Sequence, residues 1–226
     1  MVENSDLTRG EILKLIAVAR GPLNLTGINL REVDLNSISL VGAVLYGANL
    51  EGAILYGANL EGANLEGANL IKTKLWNVNL KNANLKNANL CRAHLGNADL
   101  RSANFERANL ELTNLEGANL GQGYFVNANL DSAYLVDVNL EEANLEGANL
   151  KSANLSRACL QGANLQNACL RGASLCKSIL VGANLEWANC KGTNFKEANF
   201  EGAYVFRANF EGANFEGANI MSAIQA

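Results

Sequence analysis

The chain has 226 residues and a formal net charge of −4, with 18 Lys and Arg residues against 22 Asp and Glu residues. This mildly acidic balance gives no electrostatic basis for direct nucleic-acid binding. No apolar run approaches the roughly 18 residues that a membrane-spanning helix needs, so no membrane association is expected.

The first element predicted in chain order is a helix of about eleven residues within residues 5–21. Thr8 and Glu11 have the spacing of a capping box, and Gly21-Pro22 is a helix stop signal. Five apolar residues form its expected buried face: Ile12, Leu13, Leu15, Ile16 and Val18. We interpret residues 1–22 as a cap over the open end of the structure that follows, since Lys14 and Arg20 are too few basic residues for a membrane-surface helix.

Residues 23–222 consist of one five-residue unit that repeats without a spacer, as in residues 58–70. Stepping by five from Leu25 to Ile220 gives 40 positions, and each is Leu, Phe, Val, Ile or Cys. We call this residue the centre of its unit; the residue two before it is normally Ala, and the residue between them is normally Asn. A period of five fits neither a helix nor a strand, so the chain must turn within each unit.

Each unit predicts a very short strand followed by a corner. The small residue and the centre are two apart, so in extended backbone both point to one face and the residue between them points outward. The other two positions are rich in Gly, Asn and Ser, which favour turns with positive φ. Coils must then stack to pair their backbones and bury their apolar columns. Departures from Asn and Ala cluster when sorted with a period of 20, which favours four units per coil.

The A(N/D)LXX run, as in Ala63-Asn64-Leu65-Glu66-Gly67, resembles the pentapeptide repeat family that is abundant in cyanobacteria and other bacteria. The resemblance covers roughly residues 23–222. It implies an all-β fold: a right-handed quadrilateral parallel β-helix of about ten coils, here with an N-terminal capping α-helix. The interior of such a rod is a packed column without room for a substrate. Phe105 and Phe125, one expected coil apart, should stack within it.

The sequence shows no catalytic, cofactor-binding or metal-binding constellation. His94 is the only histidine, and its expected neighbours in the stack are Lys74 and Asn114, neither a nucleophile nor an orienting carboxylate. The five cysteines are scattered over different columns and do not form the convergent set that zinc requires. We therefore predict a protein that is not an enzyme and binds no cofactor. The odd number of cysteines and the acidic N-terminus, with Glu3 and Asp6, favour a reducing cytoplasm.

One outward face departs from the repeat pattern. It carries aromatic and apolar residues in place of Asn or polar corner residues, and Tyr56 and Trp76 should be direct neighbours on it. Exposed aromatic rows are enriched at interfaces, although scattered surface aromatics also occur without a role. The candidate partner-binding patch comprises Ile54, Tyr56, Lys74, Trp76, His94, Tyr134 and Val136.

The C-terminal end is rich in bulky centres, and the tail of residues 223–226 is too short to form a second capping helix. Two copies could meet here about a two-fold axis, a geometry that closes. The resemblance supports this, because dimers known in the family associate through this end. The candidate dimer end comprises Phe200, Phe210, Phe215 and Ile220. The alternative is that Met221 to Ala226 fold over the last coil.

Two function classes follow. The first is a structural or protein-interaction module with an unidentified protein partner and an unspecified biological role. The second, implied by the resemblance, is a DNA mimic that binds a type II topoisomerase such as gyrase. A DNA mimic needs an acidic stripe, but Glu66, Lys86 and Glu106 alternate in sign along one column. No loop interrupts the coils either, unlike in many topoisomerase-directed family members.

Overall fold

The computed structural model describes residues 5–224; residues 1–4 of the predicted cap and residues 225–226 of the predicted tail lie outside this range. Helix α1 spans Arg9–Val18, and a short 3-10 helix spans Ile220–Ser222. Between them the chain forms a four-sided parallel β-helix. Its strands are isolated single-residue bridges, which run from Asn24↔Val44 to Tyr204↔Ile224. No helix in the described range is long and apolar enough to cross a bilayer.

The predicted capping box of α1 is confirmed. The backbone N–H of Thr8 donates to Glu11 Oε2 at 2.7 Å, and the Thr8 hydroxyl accepts from the Glu11 N–H at 3.4 Å. These bonds satisfy backbone donors that a helix N-terminus otherwise leaves free. Arg9 ties the helix to the first coil by donating to the carbonyl oxygens of Asp34 and Asn36 at 3.2 and 2.9 Å.

The predicted apolar face of α1 is wrong in part. Ile12 is fully buried and Ile16 packs against the core, but Leu13, Leu15 and Val18 are 44%, 39% and 76% exposed. The reason is geometric. Residues 12 and 16 lie on one stripe of the helix, and the end of a narrow four-sided column contacts only that stripe.

Four units make one coil, in agreement with the period of 20 residues at which departures from Asn and Ala cluster in the sequence. Every bridge joins residues 20 apart, for example Asn59↔Asn79. The Leu60 N–H donates to the Asn79 carbonyl in the next coil at 2.7 Å, while Ala63 N–H closes the corner onto the Leu60 carbonyl at 3.0 Å. Each unit therefore bonds both along the rod and within its own turn, so the backbone groups of such a short strand are still paired.

The corners explain the polar, Gly-rich positions of the repeat. From Leu25 to Phe215, the second residue after the centre adopts a left-handed conformation, for example φ of 64° at Gly62 and 59° at Asn82. Glycine adopts this conformation without steric cost, and asparagine tolerates it better than most residues. The chain can therefore turn four times per coil without an inserted loop.

The centres and small residues form one continuous core that extends the length of the rod. Phe105 and Phe125 stack with centroids 4.8 Å apart and planes 8° from parallel, as predicted. Threonine replaces alanine in three inward positions without leaving an unpaired hydroxyl. Each Thr Oγ1 donates to the carbonyl of the leucine 23 residues earlier, at 2.9, 2.9 and 2.6 Å for Thr73, Thr113 and Thr193.

Asparagine ladders on the outer faces were not predicted. Asn129 is typical: its Oδ1 accepts from the backbone N–H of Asp131 at 3.3 Å, and its Nδ2 donates to Asn109 Oδ1 in the preceding coil at 3.1 Å. The side chain thus stabilises its own corner as an Asx turn and links two coils. This double role explains why Asn recurs before the centres.

Candidate interaction surfaces

The potential metal-ligating side chains of residues 5–224 are dispersed along the rod. Within that range no group of three or more His, Cys, Asp and Glu side chains could hold a metal ion. His94 is exposed and pairs in the stack with Lys74 and Asn114, as expected. All five cysteines are free; Cys190 is buried in the core, and burial raises the pKa of its thiol.

An open polar depression of about 270 Å³ lies where Gly121 interrupts a corner column between Arg101 and Glu141. The one arginine in its lining is already paired, because the Arg101 guanidinium makes two hydrogen bonds to the Asp99 carboxylate, at 2.8 and 2.6 Å. These bonds hold the pKa of Asp99 below its usual range. The other charged side chains that line the depression are Glu141 and Glu142, and Glu142 accepts a hydrogen bond from Gln122 Nε2 at 3.0 Å.

The patch predicted around Tyr56 is only partly an exposed surface. Its stacking order is confirmed, since Ile54 bridges Lys74 and Lys74 bridges His94. Tyr56 and Tyr134 are 41% and 40% exposed, and Lys74 and His94 are exposed as well. The inclusion of Val136 is wrong: it is 4% exposed and offers no docking side chain.

Trp76 covers the backbone of the next coil. A Cβ built on Gly96 would lie only 2.6 Å from Trp76 Cζ3, so the indole ring lies directly over this glycine. Gly96 is buried as a result, and Trp76 itself is only partly exposed. The indole ring extends toward the coil of Gly96 and away from the coil of Tyr56. Trp76 therefore mainly covers the backbone at Gly96 and contributes little to a surface shared with Tyr56.

The C-terminal end leaves some core rings partly exposed. Phe195 stacks on Phe215 with centroids 5.3 Å apart, and Phe210 packs against Phe215 edge-on at 5.3 Å. Phe210, Phe215 and Ile220 are partly exposed. Phe200 is 0% exposed, so its place in the predicted dimer end is wrong. Ile220 follows Phe200 one coil later, whereas the described range ends before a further coil could follow the other three.

The tail covers one corner of this end. Ile224 pairs with Tyr204, and its N–H donates to the Ala203 carbonyl at 2.7 Å. Solenoid pairing therefore continues past the predicted boundary at residue 222, and Val205 beneath it is only 7% exposed. Folding of the tail over the last coil and dimerisation through this end are therefore compatible, since the described part of the tail leaves Phe210 and Phe215 partly exposed.

Charges along the rod form ladders of alternating sign. Lys86 Nζ lies 2.8 Å from Glu106 Oε2 one coil away, and it holds the pKa of Glu106 below its ordinary value. Ion pairs of this spacing also join Arg31 to Glu51, Asp131 to Lys151, Asp137 to Arg157, Lys177 to Glu197, Lys191 to Glu211, and Lys196 to Glu216. Such ladders are the opposite of a continuous acidic stripe.

A second aromatic group lies near the C-terminal end and was missed from the sequence. We call Trp187, Phe206 and Arg207 the aromatic corner. The signal was present, because Trp187 occupies the left-handed corner position that is otherwise almost always glycine or polar. The sequence does not show that Phe206 and Arg207 of the next coil pack against Trp187, and only the folded structure reveals these contacts.

Comparisons with known proteins agree with this architecture. A family model described as pentapeptide repeats matches eight segments between residues 24 and 220. The chain is 32% identical to HetL, a pentapeptide repeat protein involved in heterocyst differentiation regulation in the cyanobacterium Nostoc sp. strain PCC 7120, with 97% of each chain covered and a TM-score of 0.57. The predicted class, a right-handed quadrilateral β-helix, is confirmed.

Two further solved structures are similar over shorter stretches. Rfr23, a pentapeptide repeat protein from the cyanobacterium Cyanothece 51142, is 31% identical, covering 62% of this chain and 92% of its own, with a TM-score of 0.30. QnrB1, a plasmid-mediated fluoroquinolone resistance protein, is 17% identical, covering 87% of this chain and 88% of its own, with a TM-score of 0.47. The comparison with curated proteins gave no match.

Proposed function

Since the chain belongs to the pentapeptide repeat family, we propose that it is a non-enzymatic protein-interaction module of the cytoplasm. The rod supplies a rigid scaffold, and its outward side chains and its C-terminal end supply the contacts. The free cysteines are in keeping with a reducing compartment. Its close-packed interior leaves the outer surface for recognition.

The observation that carries this proposal is the contrast between the middle and the C-terminal end of the rod. Most centres are 0 or 1% exposed, whereas Phe210, Phe215 and Ile220 remain partly exposed and Met221 beside them is 94% exposed. An apolar end with unpaired strand edges favours association with another surface. A second copy meeting it about a two-fold axis would close this end without forming a fibre.

The second candidate, a DNA mimic directed at a topoisomerase, is not supported by the charge pattern. A DNA-like rod needs acidic groups repeated along its length, whereas the ladders here place Lys and Arg next to Glu and Asp one coil apart. The net charge of −4 is also small for a phosphate-like surface. We therefore favour the interaction module.

We expect Phe215→Glu to convert a C-terminal dimer into a monomer. A carboxylate in the apolar contact would be desolvated without a partner and would repel its symmetry mate. Sedimentation equilibrium from 1 to 100 µM measures this as a fall from twice the monomer mass to the monomer mass of 24.1 kDa. Wild type that stays at 24.1 kDa throughout would contradict the dimer.

Two further variants separate the dimer from general damage. Met221→Glu alters a side chain that is 94% exposed, so it should dissociate the dimer without disturbing the ring cluster. Val41→Glu, at a position that is 50% exposed in the first coil, should leave the dimer intact. A dimer that survives Met221→Glu but not Val41→Glu would place the interface at the other end of the rod.

The Tyr56 face is tested separately, because its exposed side chains could bind a different protein. We expect Tyr56→Ser combined with Tyr134→Ser, at the two exposed aromatic residues of the predicted patch, to remove a specific partner from a pull-down with native lysate. Tyr124→Ser, at a position on another face that is 54% exposed, is the matched control and should retain the partner. Identical protein profiles for wild type and the double variant would exclude this face as the binding surface.

A further inference from the structure

The aromatic corner begins with a backbone conformation that tryptophan rarely adopts. Trp187 has φ of 61°. Among the described residues, every other non-glycine residue with positive φ is polar or charged except Leu112. A bulky side chain is disfavoured in this left-handed region, so strain of this kind points to a role other than stability.

Three side chains pack together at this corner. The Trp187 and Phe206 rings meet edge-on with centroids 6.0 Å apart. The guanidinium carbon of Arg207 lies 4.5 Å from the centroid of the Trp187 ring and 5.1 Å from that of the Phe206 ring. A guanidinium stacked on an aromatic face still has N–H groups along its edge that can bind a carboxylate.

Arg207 has no carboxylate partner in the described part of the chain. No Asp or Glu side chain of residues 5–224 lies within 4.0 Å of its nitrogens, whereas Lys191 and Lys196, in other columns of the last coils, each pair with a glutamate at 2.8 Å. The corner presents an unpaired positive charge beside two aromatic rings.

The corner does not shield the stack as Trp76 does. Trp76 buries Gly96, but Trp187 and Phe206 remain 47% and 38% exposed, and Arg207 is exposed as well. The apolar surface also continues around the rod through Tyr204 and Ile224, which are 43% and 40% exposed and pair with each other. Trp, Tyr and Arg are the residue types most enriched at energetically important contacts.

We propose that the aromatic corner binds an acidic, apolar peptide segment of a partner protein. A carboxylate of the segment pairs with the free edge of Arg207, and an adjacent apolar side chain packs between Trp187 and Tyr204. A nucleic-acid strand would need a basic groove along the rod, but Glu186 adjoins Trp187 and the chain is acidic overall. This inference rests on the interaction role proposed above but uses a surface separate from the ring cluster at the end.

The test starts from a random 12-residue peptide library displayed on phage and selected against the wild-type protein. Enriched peptides are synthesised with a fluorescein label and titrated by fluorescence anisotropy. The expected consensus holds Asp or Glu next to an apolar residue. Trp187→Asn and Arg207→Gln should each weaken binding by about tenfold or more. Replacing the acidic residues of the peptide by their amides should have the same effect.

The variants are chosen to keep the corner folded. Asn and Gln already occupy this corner position with positive φ at Asn167 and Gln122, so neither change introduces strain. The matched control is Arg107→Gln, an exposed arginine in the same column five coils earlier, which should bind the peptides like the wild type. Thermal melting should show no loss of stability in any of these proteins.

Three results would overturn the proposal: enriched peptides without acidic residues, equal binding to the Trp187→Asn, Arg207→Gln double variant, or no enrichment over a selection against that variant. A dimer that dissociates on Trp187→Asn would assign the corner to a second copy instead. If Phe215→Glu abolishes the dimer while peptide binding persists, the two surfaces act independently. A monomeric wild type that still binds acidic peptides would contradict the proposed C-terminal dimer and support peptide binding at the aromatic corner.

Discussion

Leu110→Lys is expected to destabilise the rod by at least about 3 to 5 kcal/mol, because it leaves an ammonium group unpaired inside the core. Leu110 is 0% exposed and lies between the centres of the coils above and below it, Leu90 and Leu130. Among residues 5–224 the buried polar side chains are those of Thr73, Thr113, Ser178 and Thr193, so no buried carboxylate of this range could pair with the new charge. Denaturant unfolding monitored by circular dichroism measures the loss as a fall in midpoint, or as failure to fold.

Two control substitutions make this result specific. Glu111→Lys introduces the same side chain one residue later, at a partly exposed position, and should change stability little. Leu110→Met keeps the volume and apolar character, and should cost less than about 1.5 kcal/mol. If Glu111→Lys lowered the midpoint more than Leu110→Lys, the inward assignment of the centres would have to be rejected.

Gly123→Ala is expected to destabilise the protein although it restores the residue most common at this position of the repeat. An added Cβ would lie 2.8 Å from Phe125 Cε2 and 2.9 Å from the Leu120 carbonyl oxygen. The stacked Phe105 and Phe125 rings leave no space for it. Overpacking of this kind typically costs about 1 to 3 kcal/mol, measurable as a lower denaturation midpoint.

A double-mutant cycle tests the reason for this effect. Phe125→Leu alone should also destabilise, since it removes the stacked ring pair and leaves a cavity. The double variant restores the Ala and Leu that most units carry at these two positions, so its loss of stability should be smaller than the sum of the two single losses. Strict additivity would show that Gly123 and Phe125 are not coupled.

Much of the fold could be predicted because one physical requirement repeats in every unit. The spacing of Ala63 and Leu65 places both side chains on one face, and the following Gly67 supplies the left-handed corner. The same reasoning predicted the stacked pair Phe105 and Phe125, which lie in the same column one coil apart. The capping box at Thr8 and Glu11 was predictable because it depends on local spacing alone.

The surface was less predictable because exposure depends on neighbours 20 residues away. Val136 is in an outward position of its unit yet is buried, and Phe200 is buried because a tenth coil lies beyond it. Trp76 was assigned to a patch by its residue type, but the missing side chain at Gly96 lets its ring lie flat on the stack. The aromatic corner likewise depends on which long side chains become adjacent after folding.

The four-unit coil also fixes the direction in which each surface residue faces. Moving a residue along the chain by five positions turns it a quarter of the way around the rod, and it rises by about 1.2 Å because a full coil rises by about 4.8 Å. Most units share the same buried Ala and Leu, so inserting or deleting one unit between Tyr56 and Trp187 would leave the core composition unchanged. It would nevertheless rotate the aromatic corner by about 90° relative to the Tyr56 face. The number of five-residue units between two recognition surfaces on such a rod therefore sets the angle between them. Gain or loss of whole units changes this angle in steps of a quarter-turn while the interior keeps the same kinds of residue.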